Sequence, residues 1–275
     1  GVVIHLRSIE LRSLTDPPVI FPHNLPFVRN FTRMDFDHEV TILVGENGSG
    51  KSTFLEMLAC AVGSITVGSE NVRTDKSLAA VRDFSKYLKL VWQKRTRRGF
   101  FMRAEDFFGY ARRMSRARAE LEDDLRAVDL EYKDRSKMAS DLARSPYQRE
   151  ISALEQSYGG GLDCNSHGEG FLKLFQERFV GDGLYLLDEP EAPLSPSRQL
   201  ALLTMMKSTV EHNGQLIIAT HSPILMAYPG AKILSFDGEA IHPVDYESLE
   251  HVTLTRDFLN NPGAYLRYLM EEGVE

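Results

Sequence analysis

An α/β fold organised around a phosphate-binding loop is predicted by three stretches of this 275-residue chain. Each is an apolar run of strand length that ends in polar residues. Residues 39–44 run into Gly45-Glu46-Asn47-Gly48-Ser49-Gly50-Lys51-Ser52, residues 183–187 into Asp188-Glu189-Pro190-Glu191, and residues 215–220 into His221-Ser222-Pro223. Such β-branched or leucine-rich runs read as buried strands. Helical patterns follow the first at 53–59 and precede the second at 171–179.

Residues 2–11 read as an opening strand, after which Pro17, Pro18, Pro22 and Pro26 mark an irregular connection. The octapeptide from Gly45 to Ser52 then fits G-x-x-x-x-G-K-[ST] between a strand and a helix, the order this motif requires. Its glycines permit positive φ, so successive backbone N–H groups can turn onto phosphate oxygens, and the following helix adds its positive N-terminal end. The motif predicts a bound nucleoside triphosphate held by Gly45, Glu46, Asn47, Gly48, Ser49, Gly50, Lys51, Ser52 and Thr53. Lys51 reaches the β and γ phosphates in this arrangement, and Ser52 ligates Mg²⁺.

Residues 88–92 form a short strand ending at Gln93, followed by a specialised loop at 99–108. Leu121, Leu125, Val128 and Tyr132 recur at helical spacing, and Ser145-Pro146 is expected to end or kink the helical region. Gly159-Gly160-Gly161 make a flexible return to Ser166-His167-Gly168-Glu169-Gly170, where a hydroxyl and glycines at a helix start can hold a second anion. Lys94, Arg95, Arg97, Arg98, Arg103, Arg112, Arg113, Arg116 and Arg118 form a basic block, and Glu120, Glu122, Asp123, Asp124, Asp129, Glu131 and Asp134 an acidic one. The basic block can bind phosphates of nucleic acid, or pair with the acidic block within the chain or across a twofold axis. No base-reading motif is present, so nucleic-acid binding would be insensitive to sequence.

At the second polar strand end, Asp188 is placed to hold Mg²⁺ through water, and Glu189 to orient and deprotonate an attacking water. Residues 232–236, Asp237-Gly238 and 240–242 read as a closing hairpin.

Taken together, residues 45–53, 166–170, 184–191, 192–196 and His221 resemble the soluble AAA-family branch of the ATP-binding-cassette (ABC) ATPases, related to RecF and SMC proteins. The loop at 99–108, the Ser-His-Gly-Glu stretch and Leu186-Leu187-Asp188-Glu189-Pro190-Glu191 look like a compact stand-alone group of predicted bacterial ATPases. The resemblance implies one ABC-type head over residues 1–275, with a mixed central sheet and a small helical subdomain at 109–165. It implies Mg²⁺-dependent ATP hydrolysis with Glu189, His221 and Lys51 as catalytic residues, His221 contacting the γ-phosphate and holding the water in line. It also implies a head-to-tail homodimer formed on ATP, each chain's Ser166, His167, Gly168 and Glu169 clamping the nucleotide of its partner. Gln93 falls where such proteins carry a glutamine of the Mg²⁺ shell, beside Ser52 and Asp188. His167 and Glu169 depart from the transporter version of the signature, and Glu191 stands where transport cassettes place a small hydroxyl residue. A transporter's ATP-binding subunit and a nucleotide-gated scaffold are the other classes to be weighed.

Composition sets further bounds. At 43% hydrophobic and 26% charged residues the chain can bury one large core, and its net charge is −7. No apolar run reaches the roughly eighteen residues of a membrane span, and the first twenty residues carry charges throughout, unlike a signal peptide. Cys60 and Cys164 fit no metal spacing, so free thiols in the cytoplasm are expected. Phe21 or Phe27 could stack on a base, although core packing explains them as well.

Overall fold

The computed structural model describes residues 3–12, 19–67, 71–158 and 167–271. Its centre is a six-stranded sheet in the order β5 (Phe101–Arg103), β6 (Leu184–Asp188), β7 (Gln215–Ala219), β3 (Val40–Val44), β8 (Lys232–Ser235) and β9 (His242–Pro243). The first five strands pair in parallel and β9 antiparallel, which makes the sheet mixed. Every residue of β3, β6 and β7 is buried. A parallel strand covered on both faces selects a continuous apolar run over alternation, and this is why the three runs stand out in the sequence.

A second, antiparallel sheet has the order β2 (Arg33–Asp35), β1 (Leu6–Leu11) and β4 (Leu88–Trp92). The opening strand is thus shorter than residues 2–11. Leu6 and Ile9 of β1 share a core with Leu43 of β3 and with Phe54, Leu55 and Leu58 of helix α2 (Lys51–Val62). Short helices α1 (Pro26–Arg29) and α3 (Ala79–Ser85) close this side with Phe27 and Phe84. Ile42 and Val44 point to the opposite face, where they join Phe171 and Phe175 of α6 (His167–Arg178) and Leu202 and Met206 of α7 (Pro196–Glu211). Pleat alternation within β3 therefore supplies both cores from one strand.

Two long helices, α4 (Ala104–Glu131) and α5 (Lys137–Tyr158), pack against each other as a hairpin. Leu121, Leu125 and Val128 are half-buried along α4 and Tyr132 just past its end, as their spacing requires. Pro146 does not end the helical region: it lies inside α5. Proline removes the N–H that would serve the carbonyl of Leu142, and Leu142 is 67% exposed, so water can donate to that carbonyl in place of the missing N–H. The chain finishes with α8 (Pro223–Met226) after β7, then α9 (Glu250–Asn260) and α10 (Pro262–Glu271).

Three members of the basic block are engaged within the chain. Lys94 pairs with Asp182, Arg103 is drawn into the interior, and Arg118 bridges Glu122 and Glu155.

Candidate nucleotide site

Parallel order brings the polar ends of β3, β6 and β7 to one edge of the sheet. Ala219 is in register with both Leu43 and Asp188, so the phosphate-binding loop and the acidic strand end flank the strand that delivers His221. The loop from Gly45 to Gly50 owes its shape to positive φ at Gly45 (147°), Gly48 (85°) and Gly50 (101°). Two of these glycines also answer to close approach. A Cβ on Gly50 would meet the Phe27 ring at 2.5 Å, and one on Gly45 would meet Ser49 Oγ at 2.9 Å and Asp237 Oδ1 at 3.2 Å. Phe27 is 3% exposed beneath the loop, in edge contact with Phe54 and Phe236, so it is a packing residue and not a base-stacking one.

Lys51 is buried, and its ammonium donates to the carbonyls of Gly45 and Glu46 (3.1 Å) and to Ser49 Oγ (3.4 Å). Burial lowers its pKa, while Asp237, Glu189 and Asp188 oppose that shift. Glu46, Asn47 and Gly48 form the exposed rim of the loop, and Thr53 enters α2 half-buried. Asp237 is a brace that sequence patterning missed: its Oδ1 accepts from the Glu46 N–H at 2.9 Å. It lies just past β8, the other neighbour of β3, and no local signal marks it as part of the loop.

Asp188 ends β6 with a buried side chain that accepts from the Ser52 hydroxyl. Burial pushes its pKa up to about 7, and Glu189, Glu56 and Glu191 add to the rise. Its Oδ1 is buried with no hydrogen-bond partner among the described residues. Leaving a carboxylate oxygen so placed is costly unless a cation or a donor completes it. A hydroxyl, a buried carboxylate with an open oxygen and neighbouring phosphate space fit Mg²⁺, which commonly takes few protein ligands and completes its octahedron with phosphate and water.

Glu189 adopts φ +50°, a left-handed conformation that is rare for a residue with a side chain. Its N–H donates to the carbonyl of Ala219 (2.8 Å), and its Oε1 lies 3.4 Å from His221 Nε2. The His221 backbone N–H is held by Glu191 Oε1 at 2.8 Å, and the Thr220 hydroxyl also donates to Glu191. Burial raises the Glu191 carboxyl, and its other oxygen has no partner among the described residues. Burial and the Lys51 cation hold the His221 imidazole below its usual pKa, and the ring of His251 on α9 lies 5.4 Å away. Glu191 therefore sets the position of the His221 loop. The sequence showed this residue only as a departure from transporters.

Gln93 is misplaced for the Mg²⁺ shell. Its N–H donates to the carbonyl of His5, whose own N–H donates to Gln215, the first residue of β7. That is the amino edge of the parallel sheet, a strand length from Ser52, and Gln93 is exposed there. The residues in register beside Asp188 are those ending β5, with Arg103 opposite Asp188 itself. Arg103 is gripped by Asp106 (3.0 Å), Glu105 (3.4 Å), Asp75 (3.5 Å) and Glu56 (3.7 Å). Counting residues from Lys51 could not distinguish β4 from β5, because the two strands belong to different sheets.

Of the second anion site, Ser166 lies outside the described residues, as does Cys164. His167 and Gly168 open α6, and Glu169 is exposed in its first turn.

Parallel strands thus carry Lys51, Asp188 and His221 to one edge, with an antiparallel layer on one face and a helical hairpin beside them. Residues 23–158 match the family model described as an AAA domain. An uncharacterized ABC transporter ATP-binding protein of Haemophilus influenzae is 28% identical over 230 residues, with 80% of each chain covered. Among solved structures, the SMC head domain of Thermotoga maritima is 15% identical with TM-score 0.39, covering 88% of this chain and 100% of its own. The ATP-binding subunit of an ABC transporter is 18% identical with TM-score 0.38, covering 88% and 91%.

Proposed function

We propose that this protein is a Mg²⁺-dependent ATPase that closes into a homodimer on ATP and reopens on hydrolysis. The observation that carries this reading is the open, buried Oδ1 of Asp188 beside the Ser52 hydroxyl, with the Glu189–His221 pair at 3.4 Å on the same edge. Loop N–H groups and Lys51 bind the β and γ phosphates, replacing the carbonyl contacts that Lys51 makes to its own loop. Mg²⁺, when bound, supplies charge neutralisation on the transferred phosphoryl group. Glu189 accepts the proton of the attacking water. His221, kept neutral by burial and by Lys51, can donate or accept at Nε2 and so hold that water or the γ-phosphate in line. Glu191 keeps His221 in place through its backbone. The signature Ser166, His167, Gly168 and Glu169 would act on the partner's nucleotide, and the cytoplasm is the compartment this reading supposes.

Glu189→Gln tests it. ATP should still bind, turnover should fall by about two to four orders of magnitude, and a Mg-ATP-dependent dimer should accumulate in light scattering. A variant that turns over normally would refute the role of Glu189. Mixing Lys51→Ala with Ser166→Arg tests the shared site, since one site of each mixed dimer keeps a sound loop and a sound signature. Recovered turnover supports the trans arrangement. Its absence, with no single-site nucleotide trapping in mixtures shown to exchange subunits, refutes it.

The similarity to an ABC transporter ATP-binding protein of Haemophilus influenzae favours a second reading, the ATP-binding subunit of a transporter. No helix among the described residues is long and apolar enough to cross a membrane, so that role needs a membrane partner. Copurification of such a protein with the Glu189→Gln variant separates the readings.

A further inference from the structure

The α4–α5 hairpin has charged neighbours that pair and charged neighbours that do not. Arg118 reaches Glu122 (2.9 Å) and Glu155 (3.0 Å), Arg144 reaches Asp129 (2.7 Å), and Arg126 pairs with Asp123. Arg112, Arg116, Glu120 and Asp124 are all exposed and enter no ion pair among the described residues. They are spaced by four, so they form one continuous ridge on α4, reading plus, plus, minus, minus. Arg116 precedes Glu120, the less favourable order for an i,i+4 pair within a helix.

Beside this ridge opens a groove of about 500 Å³ with a floor of Ala117, Leu121, Ala153 and Leu154 and a rim of Glu120, Asp124 and Glu150. Two helices alone leave such an apolar seam half covered. The order of charges selects what covers it. Nucleic acid would meet Glu120, Asp124 and Glu150, and a uniformly basic peptide would meet Arg112 and Arg116. A second copy turned by a twofold axis meets neither objection, because the ridge is its own complement: 112 maps onto 124 and 116 onto 120.

We propose that the α4–α5 hairpin is a self-association surface. Two copies pack α4 against α4 about a twofold axis crossing the helix between Arg116 and Glu120. Arg112 then faces the partner's Asp124 and Arg116 the partner's Glu120, while Ala117 and Leu121 sit against the opposing groove. Packing of i±4 ridges at about −50° lets the two charge rows lie side by side. This contact uses none of the phosphate-binding residues, so it forms without nucleotide and is separate from the ATP-driven closure proposed above.

Sedimentation of the full chain without nucleotide tests it, with thermal melts confirming that each variant is folded. The unmodified protein should dimerise at low salt and weaken as salt rises. Arg112→Glu with Arg116→Glu makes the ridge wholly acidic, and Glu120→Arg with Asp124→Arg makes it wholly basic. Each variant alone should lose at least about tenfold in dimer affinity, and mixing the two should restore it as a heterodimer. A nucleotide-free protein that is monomeric at high micromolar concentration and low salt overturns the proposal. So does a dimer indifferent to either reversal, or folded acidic and basic variants that fail to combine. Because ATP is absent, these outcomes stand apart from the fate of the ATPase reading.

Discussion

The two edges of the parallel sheet handle buried polar groups in opposite ways. At the amino edge, His5 and Gln215 are both wholly buried, and every polar atom of their side chains lies within hydrogen-bond distance of a backbone group. Gln215 Oε1 accepts from the N–H groups of His5 (3.0 Å) and Leu6 (2.8 Å), and its Nε2 donates to Leu6 O (2.9 Å). The His5 ring nitrogens contact the carbonyls of Lys94 (3.0 Å) and Asn213 (2.8 Å). At the carboxyl edge, Asp188 Oδ1 and Glu191 Oε2 are buried without such partners among the described residues, and His221 Nε2 makes no hydrogen bond among them but faces Glu189 Oε1 at 3.4 Å. A closed network stitches the antiparallel sheet to the parallel one, whereas an open network holds its valences for something that arrives later. The first kind contributes to stability, and the second lowers it in return for chemistry.

Substitutions at each edge should therefore fail differently. Asp188→Asn should cut turnover at least about a hundredfold by removing a Mg²⁺ ligand. The same change should raise the melting temperature of the nucleotide-free protein, since it removes a buried charge; steady-state kinetics and calorimetry read the two effects. Gln215→Leu should do the reverse. Its loss strands two buried N–H groups and a carbonyl, at a cost of about 3 kcal/mol in urea unfolding, while ATP affinity in the folded protein changes little. If Gln215→Leu impaired ATP binding as much as Asp188→Asn impairs turnover, the contrast between the edges would be wrong.

Glu191→Gln lies between these cases. The amide oxygen can still accept from His221 N–H, so the fold should hold, but the loop is less firmly fixed and kcat should drop by about tenfold with KM nearly unchanged. Glu191→Ala should lower kcat further, and a graded pair of this kind is what a positioning role predicts. Gln93→Ala should have the smallest effect. At the amino edge it should leave the Mg²⁺ dependence of turnover within about twofold of the unmodified protein, as expected of an exposed surface residue; a large shift would return Gln93 to the metal shell.

β3, β6 and β7 could be read directly, because full burial writes itself as an apolar run and each run ends in a residue type suited to phosphate or metal. Lys51, Asp188, Glu189 and His221 follow the ends of those runs, and parallel pairing brings those ends to one edge of the sheet. The two-helix region was legible in its apolar stripe; at Pro146 the sequence left an end and a kink both open, and α5 runs through it, which rules out the end.

Local pattern marked β3, β6 and β7 and the groups at their ends, since a residue's own neighbours set its burial period and its turn chemistry; β5, inside what reads as a loop at 99–108, and the three-residue β2 carry no such signal. Strand order was decided by tertiary structure alone. Asp237 reaches Glu46 across 191 residues, Arg103 rather than Gln93 lands beside Asp188, and Glu191 meets His221 only because β6 and β7 are adjacent. Parallel pairing is set by how two faces of one sheet are covered by helices and a second sheet. That is a property of the whole packed chain, and no window of sequence contains it.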